Sequence, residues 1–250
     1  MDLLPADVAG GAAAALIVAS FFTSALTAAF GIGGGVALLT VMGYLLPVAS
    51  LIPVHGVVQL GSNTGRALIQ RAHIDWSAAL PFLAGSLVGV ALGTPFVVRL
   101  DDPLLKVGLG AFIIAVTWVR LPALARGGPA LFAGGGLVTA FLTMFFGATG
   151  PLTAAFLGRS LPDRRQYSGT HAAIMTAQHG FKVIAFGLTG FAFVTWLPLL
   201  VAMVAAGFAG TAAGARLLAR LPEARFRLAF SLLLTVLALD LIRRGLAAMF

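Results

Sequence analysis

His55, Gln59, Asn63 and Arg66 stand at spacings of four, four and three, and His171, Met175, His179 and Lys182 repeat those spacings, with Gln178 beside His179. On a helix such spacings bring side chains to one face. Each run therefore presents a stripe of imidazole, amide or thioether, and cationic groups. From first to last position the stripe covers about 16 Å at 1.5 Å per residue, longer than one small ligand and long enough to line a pathway. Imidazole exchanges protons near neutral pH, while guanidinium and ammonium groups attract anions. The stripes lack the parts of a hydrolase. No GxSxG or HExxH motif and no pair of acids accompanies them, and the chain has no Cys, so nucleophilic, thiolate and zinc-protease chemistry have no machinery here. No cofactor motif or metal-ligand cluster is present, and neither a cofactor nor a metal is expected.

The elements that carry these stripes are bounded by composition. Of 250 residues, 60% are hydrophobic and 10% charged, with a mean hydropathy of +1.02, whereas a soluble domain is about 25% charged. The chain reads as an integral membrane protein, with the lipid bilayer as its partner and residues 1–250 as a single membrane domain. The alternation of period two that a lipid-facing barrel needs is absent, which leaves helices as the spanning structure. The fold class is all-α and polytopic. The opening MDLLPAD lacks the basic stretch of a cleaved leader, so the first apolar run reads as a retained span. The net charge of +8 is spread between apolar segments, as the positive-inside rule requires. A nucleic-acid partner would need a clustered basic face, and none is expected.

The two stripes belong to a duplication. FGIGGG at 30–35 returns as FGATGP at 146–151, and His55 returns as His171, both after 116 positions. Thr23 and Thr139, Asn63 and His179, and Arg66 and Lys182 keep the same offset. Gly89 and Gly210, Gly93 and Gly214, and Arg99 and Arg220 are 121 apart. Repeat 1 covers about 8–121 and repeat 2 about 128–246. Apolar segments fall at about 8–30, 34–46, 53–70, 76–98 and 104–120, then at about 129–146, 149–157, 168–186, 195–215 and 225–243. A span takes about 20 residues, so 34–46 and 149–157 are too short to cross alone. Each reads as half of a broken or re-entrant helical hairpin, opened where Gly and Pro weaken the helix. Gly85, Gly89 and Gly93, with Gly210 and Gly214, read as small-residue packing faces.

A hairpin followed by three transmembrane helices crosses the membrane an odd number of times, so the repeats are expected to have inverted topology. Loop charge agrees. Arg71, with Arg66 nearby, marks the 71–75 loop, while 187–194 carries no charge. The 47–52 loop has none, while its counterpart has Arg159, Arg164 and Arg165 against Asp163. Arg99, Asp101, Asp102 and Lys106 cancel, while Arg216, Arg220, Arg225 and Arg227 outweigh Glu223. Both termini then lie outside, with Arg243 and Arg244 against the rule. Inverted repeats with discontinuous helices suit a transporter whose substrate site lies near the midplane. The expected substrate contacts are Gly33, Gly34, Gly35, Gln59, Asn63, Thr149, Gly150, Met175, Gln178 and His179. His55, Arg66, His171 and Lys182 are expected to gate the path or attract the anion, one His and one cation at each mouth.

No carboxylate lies well inside a span, since Asp75 falls at a loop and Asp240 near the end of the last helix. With cations, amides, the hydroxyls of Thr27, Thr143 and Thr149, and helix N-termini, the expected substrate is a small anion. Export from a negative interior needs no coupling, because each charge gains about 2.3 kcal/mol per 100 mV. Uptake would require a coupling proton or Na⁺. An anion channel of the same architecture and a carboxylate transporter remain compatible with these residues.

FGIGGG, HGVVQLGSNTGRALIQRAHIDW and PFLAGSLVGVALGT in the first half, with FGATGPLTAAFL and RRQYSGTHAAIMTAQHGFK in the second, together resemble the two repeats of the sulfite exporter TauE/SafE family, also called the toluene sulfonate uptake permease family. The resemblance covers about 20–245. It implies a cytoplasmic-membrane transporter of small sulfur-containing anions such as sulfite or organosulfonates. The chain departs from many relatives in carrying GATGP at a second break that is elsewhere richer in Gly, which sets its two tips apart.

Overall fold

The structure, a computed structural model, describes residues 5, 8–30, 33–97, 101–119, 127–158, 160, 161, 163–217 and 223–249. Among these, every regular element is helical: α1 (Gly10–Phe30), α2 (Gly34–Leu45), α3 (Val48–Ile69), a 3-10 turn at Arg71–His73, α4 (Trp76–Val97), α5 (Asp102–Trp118), α6 (Pro129–Phe146), α7 (Gly150–Leu157), α8 (Arg164–Leu188), α9 (Phe193–Leu217) and α10 (Glu223–Ala247). Four of them, α1, α4, α6 and α9, are long and apolar enough to cross a membrane. They are the first and fourth helices of each repeat. Phe22, Leu87, Leu92, Leu197 and Val201 on these helices remain exposed, as lipid-facing side chains must be. Helices α2 and α7 have 12 and 8 residues and reach only about 18 and 12 Å, less than the hydrocarbon thickness.

Local chemistry sets several boundaries. Pro103, Pro129 and Pro151 occupy first-turn positions of α5, α6 and α7, where a missing N–H costs nothing. Asp163 caps α8 by accepting the Gln166 N–H at 2.8 Å, and this starts the helix at Arg164, ahead of the apolar run. Helix α3 begins at Val48 and carries Pro53 inside it, so most of the stretch expected as a loop at 47–52 is helical. Of the loop residues compared for charge, Arg99, Arg159 and Arg220 lie outside the described residues, as do Gly31 and Ile32 of the first break.

The chain forms two compact units, each drawn from both halves of the sequence. One comprises 1–58, 100–119 and 192–250, the other 59–99 and 120–191. Helix α3 contributes 48–58 to the first and 59–69 to the second. In the first unit α1 packs on α9, and α5 on α10. A Cβ at Gly210 or Gly214 would overlap the carbonyl of Phe21 or Ala25, and Ser20 donates to the Met203 carbonyl at 2.7 Å. Tyr44 of α2 donates to the Leu237 carbonyl of α10 at 2.6 Å.

In the second unit α4 packs on α6 with α8 against both. Gly85 and Gly89 press on the carbonyls of Ala133 and Leu137, and Gly136 on that of Phe82. A core of Ala78, Ala79, Phe82, Phe132, Leu157, Leu161 and Ile174 closes this unit. Asp75 ties its turn to α8: its N–H donates to the Thr170 hydroxyl at 2.8 Å, and its carboxylate accepts from the Gln166 side chain at 3.1 Å.

The two glycine contacts match. Phe21 and Leu137 are 116 residues apart and Gly210 and Gly89 are 121 apart, so the first helix of each repeat meets the fourth helix of the other at equivalent residues. Substituting Gly89 or Gly210 with Val is expected to cost about 1–3 kcal/mol by overpacking, visible as reduced thermal stability of the purified protein. Gly134→Ala, at an exposed position with nothing within 4 Å, is expected to leave it unchanged or raise it.

Candidate functional site

The first break lies in the first unit. Gly33, at φ 103°, precedes α2 in a left-handed conformation that disfavours any side chain. Gly34 then sits so close to α1 that a Cβ would overlap the Thr23 carbonyl and the Thr27 hydroxyl. That hydroxyl already donates to the Thr23 carbonyl at 3.1 Å. From α3, buried His55 donates through Nε2 to the Gly35 carbonyl at 3.0 Å, fixing the opening turn of α2 to the helix that follows it.

The second break lies in the other unit and is built differently. Gly147, at φ 71°, ends α6. Its carbonyl accepts from the Thr143 hydroxyl at 3.1 Å and from the Lys182 ammonium at 3.0 Å. Lys182 is fully buried, and among the described residues no carboxylate pairs with it; the ion pairs there are those of Lys106 with Asp102 and of Arg243 and Arg244 with Asp240. Thr149 precedes α7 without capping it through its side chain. Its hydroxyl and that of Thr153 are buried with no hydrogen-bond partner. His171 donates through Nε2 to the Gly150 carbonyl at 3.1 Å and stacks on Tyr167 with ring centroids 6.0 Å apart. A histidine thus clasps the short helix at both breaks. Met175 and His171 both approach to 3.9 Å of the place where a Gly150 Cβ would stand.

The stripe residues divide between contact and support. Asn63 donates to the Gln59 carbonyl at 2.7 Å and accepts from Arg66, so Gln59, Asn63 and Arg66 form a linked row on α3. Arg66 Nε is buried without a partner, and its charge acts on Tyr167 and His171. Gln178, fully buried on α8, donates from Nε2 to Ser86 of α4 at 2.9 Å and Thr139 of α6 at 2.8 Å, which makes its amide nitrogen a brace among three helices. His179 is buried on the same helix. The structure therefore brings together Arg66, Gly150, His171 and Met175, places Thr149 and Lys182 at the same break, and gathers Gly33, Gly34, Gly35 and His55 at the other.

Ser86, Tyr167 and Thr153 were not singled out from sequence. Tyr167 stands four residues before His171 and extends its stripe by one turn, a signal that spacing alone carried. Among the described residues no group of His, Asp and Glu is placed to hold a metal ion.

Four helices long and apolar enough to cross a membrane, with two short helices each held by a histidine, define a multi-pass membrane protein. Residues 16–241 match the family model described as sulfite exporter TauE/SafE, and the chain belongs to that family, whose members are membrane transporters of sulfite-like substrates. No curated protein and no solved structure matches the chain.

If the Gln178 amide braces the unit, Gln178→Leu removes two buried hydrogen bonds at about 0.5–1.5 kcal/mol each. Thermal unfolding of the substrate-free protein is expected to shift down by a few degrees. A purely substrate-contacting Gln178 would leave that midpoint in place.

Proposed function

We propose that this protein is a secondary transporter that moves a small sulfur-containing anion, sulfite or an organosulfonate, across the cytoplasmic membrane by alternating access between two inverted halves. One observation carries the preference for an anion. No Asp or Glu occurs within α1 to α4 or α6 to α9, yet Arg66 lies on α3 and Lys182 is buried on α8. A cationic substrate would meet uncompensated positive charge, whereas an anion supplies the missing counter-charge.

The equivalent packing of α1 on α9 and of α6 on α4 supports paired halves that exchange their first helices, and the reversal of loop charge supports their inversion. In this reading Gln59, Asn63, Thr149, Gly150, Met175, Gln178 and His179 line the path. Arg66 and Lys182, with His55 and His171, set its charge and hold its breaks. Export runs down the membrane potential without a coupling ion. Uptake would draw on a proton or Na⁺.

Counterflow in proteoliposomes tests this. Wild-type protein is expected to show saturable sulfite exchange, and Arg66→Ala and Lys182→Ala are each expected to reduce it at least about tenfold, since removing one partner of a buried charge interaction costs about 2–5 kcal/mol. Flux that neither saturates nor exchanges would instead indicate a channel. Undiminished exchange in both variants would refute the role given to the cations.

A further inference from the structure

We propose that the anion is held at the second break alone, by the hydroxyls of Thr149 and Thr153, the first-turn amides of α7 and the Lys182 ammonium, and that the first break is its packed, non-binding counterpart. This rests on the transport reading above and adds where the anion sits and which groups hold it.

The two tips are equivalent in sequence and unlike in surroundings. Gly34 and Gly150 are 116 residues apart. A Cβ at Gly34 would overlap α1 backbone, whereas one at Gly150 would meet only His171 and Met175 at 3.9 Å, ordinary van der Waals contact. The opening turn of α2 is pressed into its neighbour, and that of α7 is not.

Polar groups follow the same division. Thr149 and Thr153 occupy the positions that Gly33 and Ala37 hold in the first repeat, so the two hydroxyls exist only in the second. Thr149 stands just before α7 and Thr153 four residues on, about one turn into it. Both are fully buried, and neither has a hydrogen-bond partner. A buried hydroxyl without a partner costs about 1–3 kcal/mol, so two at the start of one short helix would each gain from a ligand oxygen that accepts their hydrogen bonds. Among the described residues Lys182 bonds the Gly147 carbonyl, two residues before Thr149, and pairs with no acid, and an ammonium can donate three hydrogen bonds. At the first turn of α7 the N–H groups of Gly150 and Leu152 are the donors that remain, since Pro151 has none and that of Thr153 bonds the Thr149 carbonyl at 3.0 Å, and the turn adds a positive dipole end.

Hydroxyls, amides and an ammonium are donors, and no anionic acceptor offsets them. A compact oxyanion with several acceptor oxygens satisfies such a set, and the –SO₃ group shared by sulfite and sulfonates offers three.

The test measures calorimetric binding of sulfite and of methanesulfonate to the full-length protein in nanodiscs, with counterflow in proteoliposomes alongside. The Thr149→Val/Thr153→Val double variant keeps side-chain shape and removes both hydroxyls. It is expected to weaken binding at least about tenfold while the substrate-free unfolding temperature holds or rises, because no existing hydrogen bond is lost. Thr23→Val, beside Gly34 at the first break, is expected to leave the affinity within about twofold. Parallel losses for both anions identify the –SO₃ group as what the hydroxyls hold, and a loss confined to sulfite identifies the free anion. Either supports the location. A double variant that binds and exchanges like wild type, or a Thr23→Val loss of equal size, overturns the inference while leaving the transport reading intact. Wild-type protein that neither binds nor exchanges either anion overturns both.

Discussion

Hydrocarbon offers no water to the N–H and C=O groups that a broken helix exposes, and the rest of this structure depends on how those groups are satisfied. At the first break His55 binds the opening turn of α2, and Gly34 lets α1 close over it. At the second, Thr143 and Lys182 share the Gly147 carbonyl while His171 holds that of Gly150. Side chains that read in the sequence as the lining of a pathway are in large part the means by which opened backbone is held among apolar helices. What is left over around the second break includes the hydroxyls of Thr149 and Thr153, Arg66 Nε and Gln178 Oε1, and the two hydroxyls stand at the tip itself.

Close helix contact makes those breaks possible. Gly210 and Gly214 bring α9 onto the backbone of α1, and Gly85 and Gly89 bring α4 onto that of α6. In lipid, such approaches replace the hydrophobic driving force that water would provide. Around them Asn63 of the α3 row and the Gln178 amide nitrogen make their hydrogen bonds within the protein, as a medium of low dielectric favours, while Arg66 Nε and Gln178 Oε1 are buried without a partner.

Much of this was legible in the residues. Segment ends at α4, α6 and α7 fall within about two residues of where hydropathy and Gly or Pro placed them, because apolar length and turn chemistry act locally. Helix α3 starts at Val48, ahead of the apolar segment expected at about 53–70, because the helix carries Pro53 internally. Helix α8 starts earlier because a cap, Asp163, outweighs the polarity of Arg164 to Gln166. The glycine rows declared packing faces but not their partners: that α1 meets α9 rather than α4 depends on tertiary placement. The site divides the same way. His171, Lys182 and Gly150 could be named from spacing and repetition. Whether Thr149 is satisfied or Gln178 is committed to Ser86 and Thr139 depends on which neighbours arrive, which spacing along one helix does not encode.

The central claim, that a small oxyanion completes the charge and hydrogen bonding of the broken-helix region, is tested most directly by locating one there. Crystals of the full chain soaked in selenite, a heavier analogue of sulfite, can be measured for anomalous selenium scattering. The account predicts a peak beside the first turn of α7, within hydrogen-bonding distance of Thr149 and Lys182. A protein that exchanges selenite but places the selenium elsewhere, at α2 or on the outer surface, would contradict it.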